Sequence, residues 1–333
     1  MNRMALRNVV NTQTVALVGV LLLNWVLFPG FFRIEWQDGR LFGSLIDVLN
    51  RGAPVAILAI GMTPVIATKG VDLSVGAVMA MAGAVAASLV VAGYPAWIAV
   101  SGALALGLAC GIWNGILVAL LDIQPIIATL VLMVAGRGIA QLVTEGSIVT
   151  FSDPTLVFIG TGSFLGFPMP VVIAFALMVL VTLAVRKTAI GLFIEAVGVN
   201  RSAATLAGIR SRLLLIVVYS ISGLCAATAG IIVAGDIRGA DANNAGLWLE
   251  LDAILAAVIG GASLLGGRFS IPMSVVGALI IQAMNTGILV SGFPPEFNLV
   301  VKAGMITLIL MIQSPLAGHI LGWFGRGKRG AAR

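Results

Sequence analysis

Residues 66–76 read IATKGVDLSVG, and they divide an otherwise continuous apolar run. PVAILAIGMTPVIAT precedes the break and AVMAMAGAVAASLVVAG follows it. Each flank is greasy enough to sit in lipid, so Lys69 and Asp72 stand between two membrane-grade segments. Two readings fit the stretch itself. It is a turn with a helix cap, in which Lys69 ends one helix, Gly70 is the exit residue and Asp72 or Ser74 caps the next. Alternatively, the charges belong to a site.

The whole chain shares this character. It has 333 residues, 60% hydrophobic and only 10% charged, with a mean hydropathy of +1.12. A soluble domain carries charge on about a quarter of its residues. Apolar stretches of about 18 or more residues recur from end to end, and each can cross a hydrocarbon core roughly 30 Å thick. Backbone in lipid must satisfy itself, as helices or as a closed barrel. Runs such as VALVGVLLLNWVLF lack the period-two alternation of a barrel strand. The fold class is therefore all-α, a polytopic membrane protein.

Ten spans are expected: 12–32, 51–68, 74–92, 96–121, 125–144, 170–185, 214–235, 250–266, 270–291 and 298–315. An even count puts both termini on one side. Arg3 and Arg7 at the start, and Arg326, Lys328, Arg329 and Arg333 at the end, place that side in the cytoplasm by the positive-inside rule. Segment 186–213 agrees, with Arg186, Lys187, Arg201, Arg210 and Arg212 against Glu195 alone, and Lys69 and Arg268 fall on the same side. Segments 33–50, 145–169 and 236–249 are near neutral or acidic and count as external. The amino-terminal segment is too long in its apolar part for a cleaved leader and reads as an uncleaved first helix. The 333 residues are expected to form a single transmembrane domain, with a cytoplasmic segment at about 186–213.

Topology also accounts for the net charge of +6, so no nucleic-acid partner is expected. The lone histidine, His319, cannot build a metal site, and Cys110 and Cys225 read as packing residues. Among 41 glycines, Gly76–Ala80–Ala84 and Gly107–Gly111–Gly115 have the spacing that lets helices approach closely.

No GxxxxGK[ST] loop, HExxH or GxSxG occurs, so this chain hydrolyses no nucleotide in the P-loop manner. Energy for driven transport must come from a separate ATPase or from an ion gradient. Gradient-driven carriers keep ionisable residues deep in their spans. Here Arg137 lies within 125–144 and Asp252 and Lys302 near helix starts, which favours a neutral polar cargo. Asn114, Gln282 and Asn285 are neutral, polar and set in small-residue helices. Their amides suit sugar hydroxyls, and interhelical hydrogen bonds are the competing role. Trp248 suits either a sugar ring or an interfacial anchor. Glu250 and Asp252 suit a helix N-terminal dipole. Asn243 and Asn244 lie in an external loop, as a docking point or a turn.

Segment 191–209, GLFIEAVGVNRSAATLAGI, is longer than a turn needs, and alanines at helical intervals predict a short surface helix within it. Either it docks on a motor subunit or it is a solvated linker. The segment resembles the cytoplasmic loop of permeases in ribose/galactoside-type sugar ABC importers. IATKGVDLSVGAV is similar to that family's TGGIDLSVG motif, and LWLELDAILAAVIGGASLLGGRFS to its ELxAIAAVVIGGxSLxGG motif. WNGILVALLDIQPIIATL and QDGRLFGSLIDVLNR extend the likeness over nearly the whole chain. Two positions depart from the pattern: Pro64 stands where an apolar residue is usual, and Lys69 replaces the first glycine of TGG. Pro64 is expected to kink the span or end it early.

The resemblance implies a permease subunit in the bacterial inner membrane. It works with a cytoplasmic ABC ATPase that uses the ATP, a periplasmic sugar-binding protein and a second permease, a paralogue forming a heterodimer. No cofactor binds this chain, and galactofuranose is the implied sugar. The roles expected from the residues themselves are substrate passage at Asn114, Gln282, Asn285 and Trp248, and a helix-break motif at Gly70, Asp72, Ser74 and Gly76. ATPase coupling falls to Glu195, Gly198, Asn200, Ala203, Ala204 and Gly208, and external docking to Asn243, Asn244 and Glu250. A gradient-driven carrier or channel for a small polar solute is the alternative.

Overall fold

The computed structural model describes residues 3–27, 32–37, 40–292, 294, 297, 299–304 and 307. Among these are twelve helices. They are α1 (Arg3–Leu27), α2 (Ser44–Ala67), α3 (Val75–Val91), α4 (Ala96–Ala119), α5 (Pro125–Val143), α6 (Pro154–Thr161), α7 (Met169–Lys187), α8 (Ile190–Val199), α9 (Arg201–Leu206), α10 (Ser211–Ile237), α11 (Leu249–Ile259) and α12 (Ile271–Val290). The rest of the expected span 298–315, His319 and the basic residues beyond lie outside the described residues.

Six helices, α2, α4, α5, α7, α10 and α12, are long and apolar enough to cross a membrane. The apolar parts of α1 and α3 are shorter. The expected span 250–266 is only the eleven-residue α11. Its apolar pattern runs on past Ile259, but Gly261 takes φ +91 and stops the helix. The expected span 51–68 begins instead at Ser44, since Asp47, Asn50 and Arg51 join the helix.

Contacts divide the chain into Met1–Met284 and Asn285–Arg333. In the smaller unit the last turn of α12 closes with the Ser291 hydroxyl on Ile288 O. In the larger unit α2, α3 and α10 form the centre, with Ile57, Ile60, Met62, Met79, Met81, Tyr219 and Ile232 fully buried. Helices α4 and α5 turn apolar side chains such as Trp97, Val134 and Leu142 outward, as a lipid-facing surface requires. Small residues allow the central contacts: a Cβ at Gly107 or Gly111 would strike the backbone of α10, as one at Gly83 or Gly230 would strike between α3 and α10. Cys110 and Cys225 are free and buried, in keeping with a packing role.

The basic segments gather at one end. Gly267 N donates to Ala67 O (2.8 Å). Arg201 donates to Ala119 O (3.1 Å) and pairs with Asp122 (3.0 Å). At the opposite end Val149–Thr150 pairs antiparallel with Gly239–Ala240, and Leu41 N donates to Gly166 O (3.0 Å).

Candidate functional site

The stretch 68–74 explains why a glycine is usual at its second position. Lys69 N donates to Ile66 O and Gly70 N to Val65 O, both at 2.9 Å. These are the paired bonds of a Schellman stop, in which the C′ residue is left-handed. That residue is Lys69, at φ 64; the exit conformation expected at Gly70 belongs one position earlier. A lysine there costs about 1 kcal/mol or more of backbone strain. Its Nζ recovers a bond by donating to Val199 O of α8 (3.0 Å). Pro64 does not end α2 early; the helix runs one further turn to Ala67. Gly70 serves a close approach, because a Cβ there would meet the Tyr219 hydroxyl at 2.6 Å.

Beyond Gly70 the chain turns back into the bundle. Asp72 is 1% exposed. Ser74 donates to its Oδ1 through N (3.1 Å) and Oγ (2.6 Å), and Ser222 Oγ of α10 donates to its Oδ2 (2.8 Å). Asn114 Nδ2 of α4 donates to Ser74 Oγ (2.9 Å) and lies 3.5 Å from Asp72 Oδ1. Leu73 N donates to Thr129 Oγ1 of α5 (3.1 Å). Ser222 is about halfway along the 27 residues of α10, roughly 16 Å from its start at 1.5 Å per residue. The break is therefore re-entrant, and α3 starts in mid-bundle, which is why it has only 17 residues. Non-helical backbone survives at such depth only when protein groups satisfy it. Four helices supply those groups here. Ser74 precedes α3 but its side chain makes no cap bond to it; the expected capping role gives way to the bond with Asp72.

A second break mirrors the first from the opposite end. Helix α10 ends at Arg238, left-handed at φ 54. Residues 239–248 then fold back, and α11 starts after Trp248, also left-handed at φ 65. A Cβ on Gly76 would collide with Gly246 O and approach Glu250 Oε2. Gly76 is one turn below Met79, whose backbone abuts Gly230 of α10. The N-terminal ends of the half-helices α3 and α11 thus meet deep in the bundle. Asp241 Oδ1 accepts from Asn243 N (3.0 Å) and Asn244 N (3.1 Å), and Asn244 Nδ2 donates to its Oδ2 (2.8 Å). Those bonds, the Asn244 side chain foremost, hold the carboxyl below the usual carboxylate range.

The expected residues fall into three groups. Gly70, Asp72, Ser74, Gly76 and Asn114 meet at the first break. The bond of Asn114 to Ser74 is the interhelical partner its residue type allowed, and it is 1% exposed. Asn243, Asn244, Trp248 and Glu250 belong to the second break, with Trp248 55% exposed. Gln282 is buried on α12, and Asn285 lies on the same helix in the smaller unit. At the basic end, α8 and α9 realise the expected surface helix as two short ones. Asn200 caps α9 by accepting from Ala203 N (3.0 Å). Ala204 is buried, while Glu195 is partly exposed. Gly198 is wedged where a Cβ would strike Ala67 O and Gly267 N, whereas Gly208 (φ +87) faces open space. Tyr219, Ser222, Thr129 and Gly266 were missed as site residues. Thr129 carried the signal of a polar residue within a span.

A membrane bundle with two re-entrant breaks facing one another, and a surface helix pair clamped to one of them, has the architecture of a permease. The chain belongs to the branched-chain amino acid transport system / permease component family, whose pattern matches residues 44–310. It is similar to the galactofuranose transporter permease protein YtfT of Escherichia coli (strain K12), 63% identical over 91% of this chain and 89% of that one. It also resembles the fructose import permease protein FruF of Bifidobacterium longum, at 42% over 90% and 86%. The ribose import permease protein RbsC of Escherichia coli (strain K12) follows at 39% over 90% and 92%.

Proposed function

We propose that this chain is the membrane subunit of a binding-protein-dependent ABC importer that passes a monosaccharide, galactofuranose, across the bacterial inner membrane. The observation that carries the reading is its 63% identity to a galactofuranose permease over 91% of its length. Fructose and ribose permeases among the other relatives support a sugar cargo. ATP is hydrolysed by a separate cytoplasmic subunit, a periplasmic binding protein delivers the sugar, and a paralogous permease completes a heterodimer. The whole chain acts as one permease domain. Its basic end, including α8 and α9, faces the cytoplasm with both termini, and its ten spans include α3 and α11 as partial crossings.

Sugar passes where the two breaks meet. Trp248 and Glu250 flank it from the second break, and Gln282 extends the polar lining; Asn285 keeps the passage role its neutral amide suggests. Asn114 acts through the Asp72 cluster. Coupling to ATP hydrolysis runs through Glu195, Gly198, Asn200, Ala203, Ala204 and Gly208. Gly198 carries the most, because three motifs cross there: the end of α8, the stop at Ala67–Lys69 and the Gly266–Gly267 turn. Asn243 and Asn244 face the binding protein. Uptake of labelled galactofuranose, ribose and fructose in a strain lacking this chain, with and without its restoration, tests the proposal. Restored uptake of galactofuranose above the other two is expected; restoration of none refutes the cargo class.

A further inference from the structure

Residues 242–248 are turn throughout, yet Ala242 is only 2% exposed and Gly246 is buried. Their carbonyls need partners from the protein at this depth. Arg137 of α5 supplies them. Its Nη1 donates to Ala242 O (2.9 Å) and to Ala245 O (2.6 Å). One turn on, Gln141 Nε2 donates to Asn243 Oδ1 (2.8 Å). The preceding residue, Gly136, packs against Met81 and Ala77 of α3. One short stretch of α5 therefore grips the second break with Arg137 and Gln141 while resting on the half-helix that the break faces. Arg137 is half-buried in a membrane span, where a charged side chain is costly and is kept for a purpose. At the first break, among the described residues, the Thr129 hydroxyl and the Asp72 carboxylate satisfy the re-entrant backbone instead.

We propose that Arg137 is a positioning residue of the passage, latching residues 241–248 against α3, and that release of this latch opens the outer mouth. The placement of the mouth rests on the sugar-passage reading above; the latch itself does not. A guanidinium spans both carbonyls with one nitrogen. A lysine keeps the charge with a shorter reach, and a glutamine keeps neither charge nor reach.

The test places a cysteine at Ala242 in the chain assembled with its partner subunits, in membranes open on both sides. Its rate of maleimide labelling is followed. A second cysteine, at buried Ala99 in α4, serves as control. With Arg137 intact, the position-242 thiol is protected. Arg137→Gln is expected to raise its labelling rate at least about tenfold, the loss of a charge-assisted bond. Arg137→Lys is expected to leave most protection, and the control to stay unchanged. Gln141→Ala, which leaves Arg137 in place, is expected to give a rise of a few-fold. Sugar uptake is expected to fall with Arg137→Gln and to be largely kept with Arg137→Lys. Unchanged labelling at position 242 in both Arg137→Gln and Gln141→Ala overturns the latch, as does an equal rise at both cysteines. Absence of sugar uptake by the unmutated complex would instead refute the transport reading and leave the labelling result standing.

Discussion

The two breaks solve one problem with different chemistry. Each stops a long helix with a basic residue in the left-handed region, Lys69 at φ 64 and Arg238 at φ 54, and each returns the chain into the bundle before a half-helix begins. The first break is held by short polar side chains, Ser74 beside it, Asn114 of α4 and Ser222 of α10, gathered around Asp72. The second is held by long side chains reaching across from α5, Arg137 on its carbonyls and Gln141 on Asn243. A compact, cross-bonded cluster makes a rigid element, since losing its central member strands the others in a dry interior. Long side chains reaching from one helix can let go and re-form at less cost. On the proposed passage, the first break would serve as the fixed wall and the second as the movable one.

The largest effect that would break this contrast is at Asp72. Asp72→Leu strands three donors, Ser74 N, Ser74 Oγ and Ser222 Oγ, and at about 1–3 kcal/mol for each unsatisfied group it should cost at least about 3 kcal/mol. Thermal unfolding in detergent should show a large drop and uptake should vanish. Asp72→Asn keeps an acceptor for Ser74, and the Ser222 hydroxyl can rotate to accept from the new amide, so most stability and transport should survive. Equal loss in both variants would assign the carboxylate charge itself a direct role.

Next in size is Gly198. A bulky residue such as leucine drives its Cβ into Ala67 O and Gly267 N and should uncouple ATP hydrolysis from uptake by moving α8 off the first break. The same substitution at Gly208 meets open space and carries only left-handed strain, about 1 kcal/mol, so ATPase and uptake assays should separate the two glycines clearly. The smallest effect is expected at Lys69. Lys69→Gly relieves the left-handed strain but gives up the bond to Val199 O, so the unfolding midpoint should change by little, within about 1 kcal/mol. A large loss there would mean that the tie to α8 outweighs the backbone term.

The contrast also accounts for what could be read in the amino-acid sequence. The first break was legible because Lys69 and Asp72 interrupt apolar runs directly, and Gly198 was legible as part of a loop too long to be a turn. Its depth was not: Asp72 reaches mid-bundle through Ser222, which is 150 positions away along the chain. The second break reads as an ordinary polar loop, since DIRGADANNAGLW carries no sign that it folds inward. Its partner is more than 100 positions away, at Arg137. The charge of Arg137 within an apolar span was the available signal, and it was counted without being paired. Helix α11 was overextended because the apolar composition continues through Gly260 and Gly261, where backbone conformation, not hydropathy, ends the helix.

The central claim is that a fixed re-entrant break anchored on Asp72 shapes a sugar passage driven by a partner ATPase. Its most direct test is uptake of labelled galactofuranose in a strain lacking this chain and restored with the unmutated protein, Asp72→Asn or Asp72→Leu. Uptake is measured with the proton gradient collapsed and ATP maintained. The account predicts uptake with the unmutated chain and with Asp72→Asn, and none with Asp72→Leu. Uptake that stops when the gradient collapses, or that persists with Asp72→Leu, would contradict it.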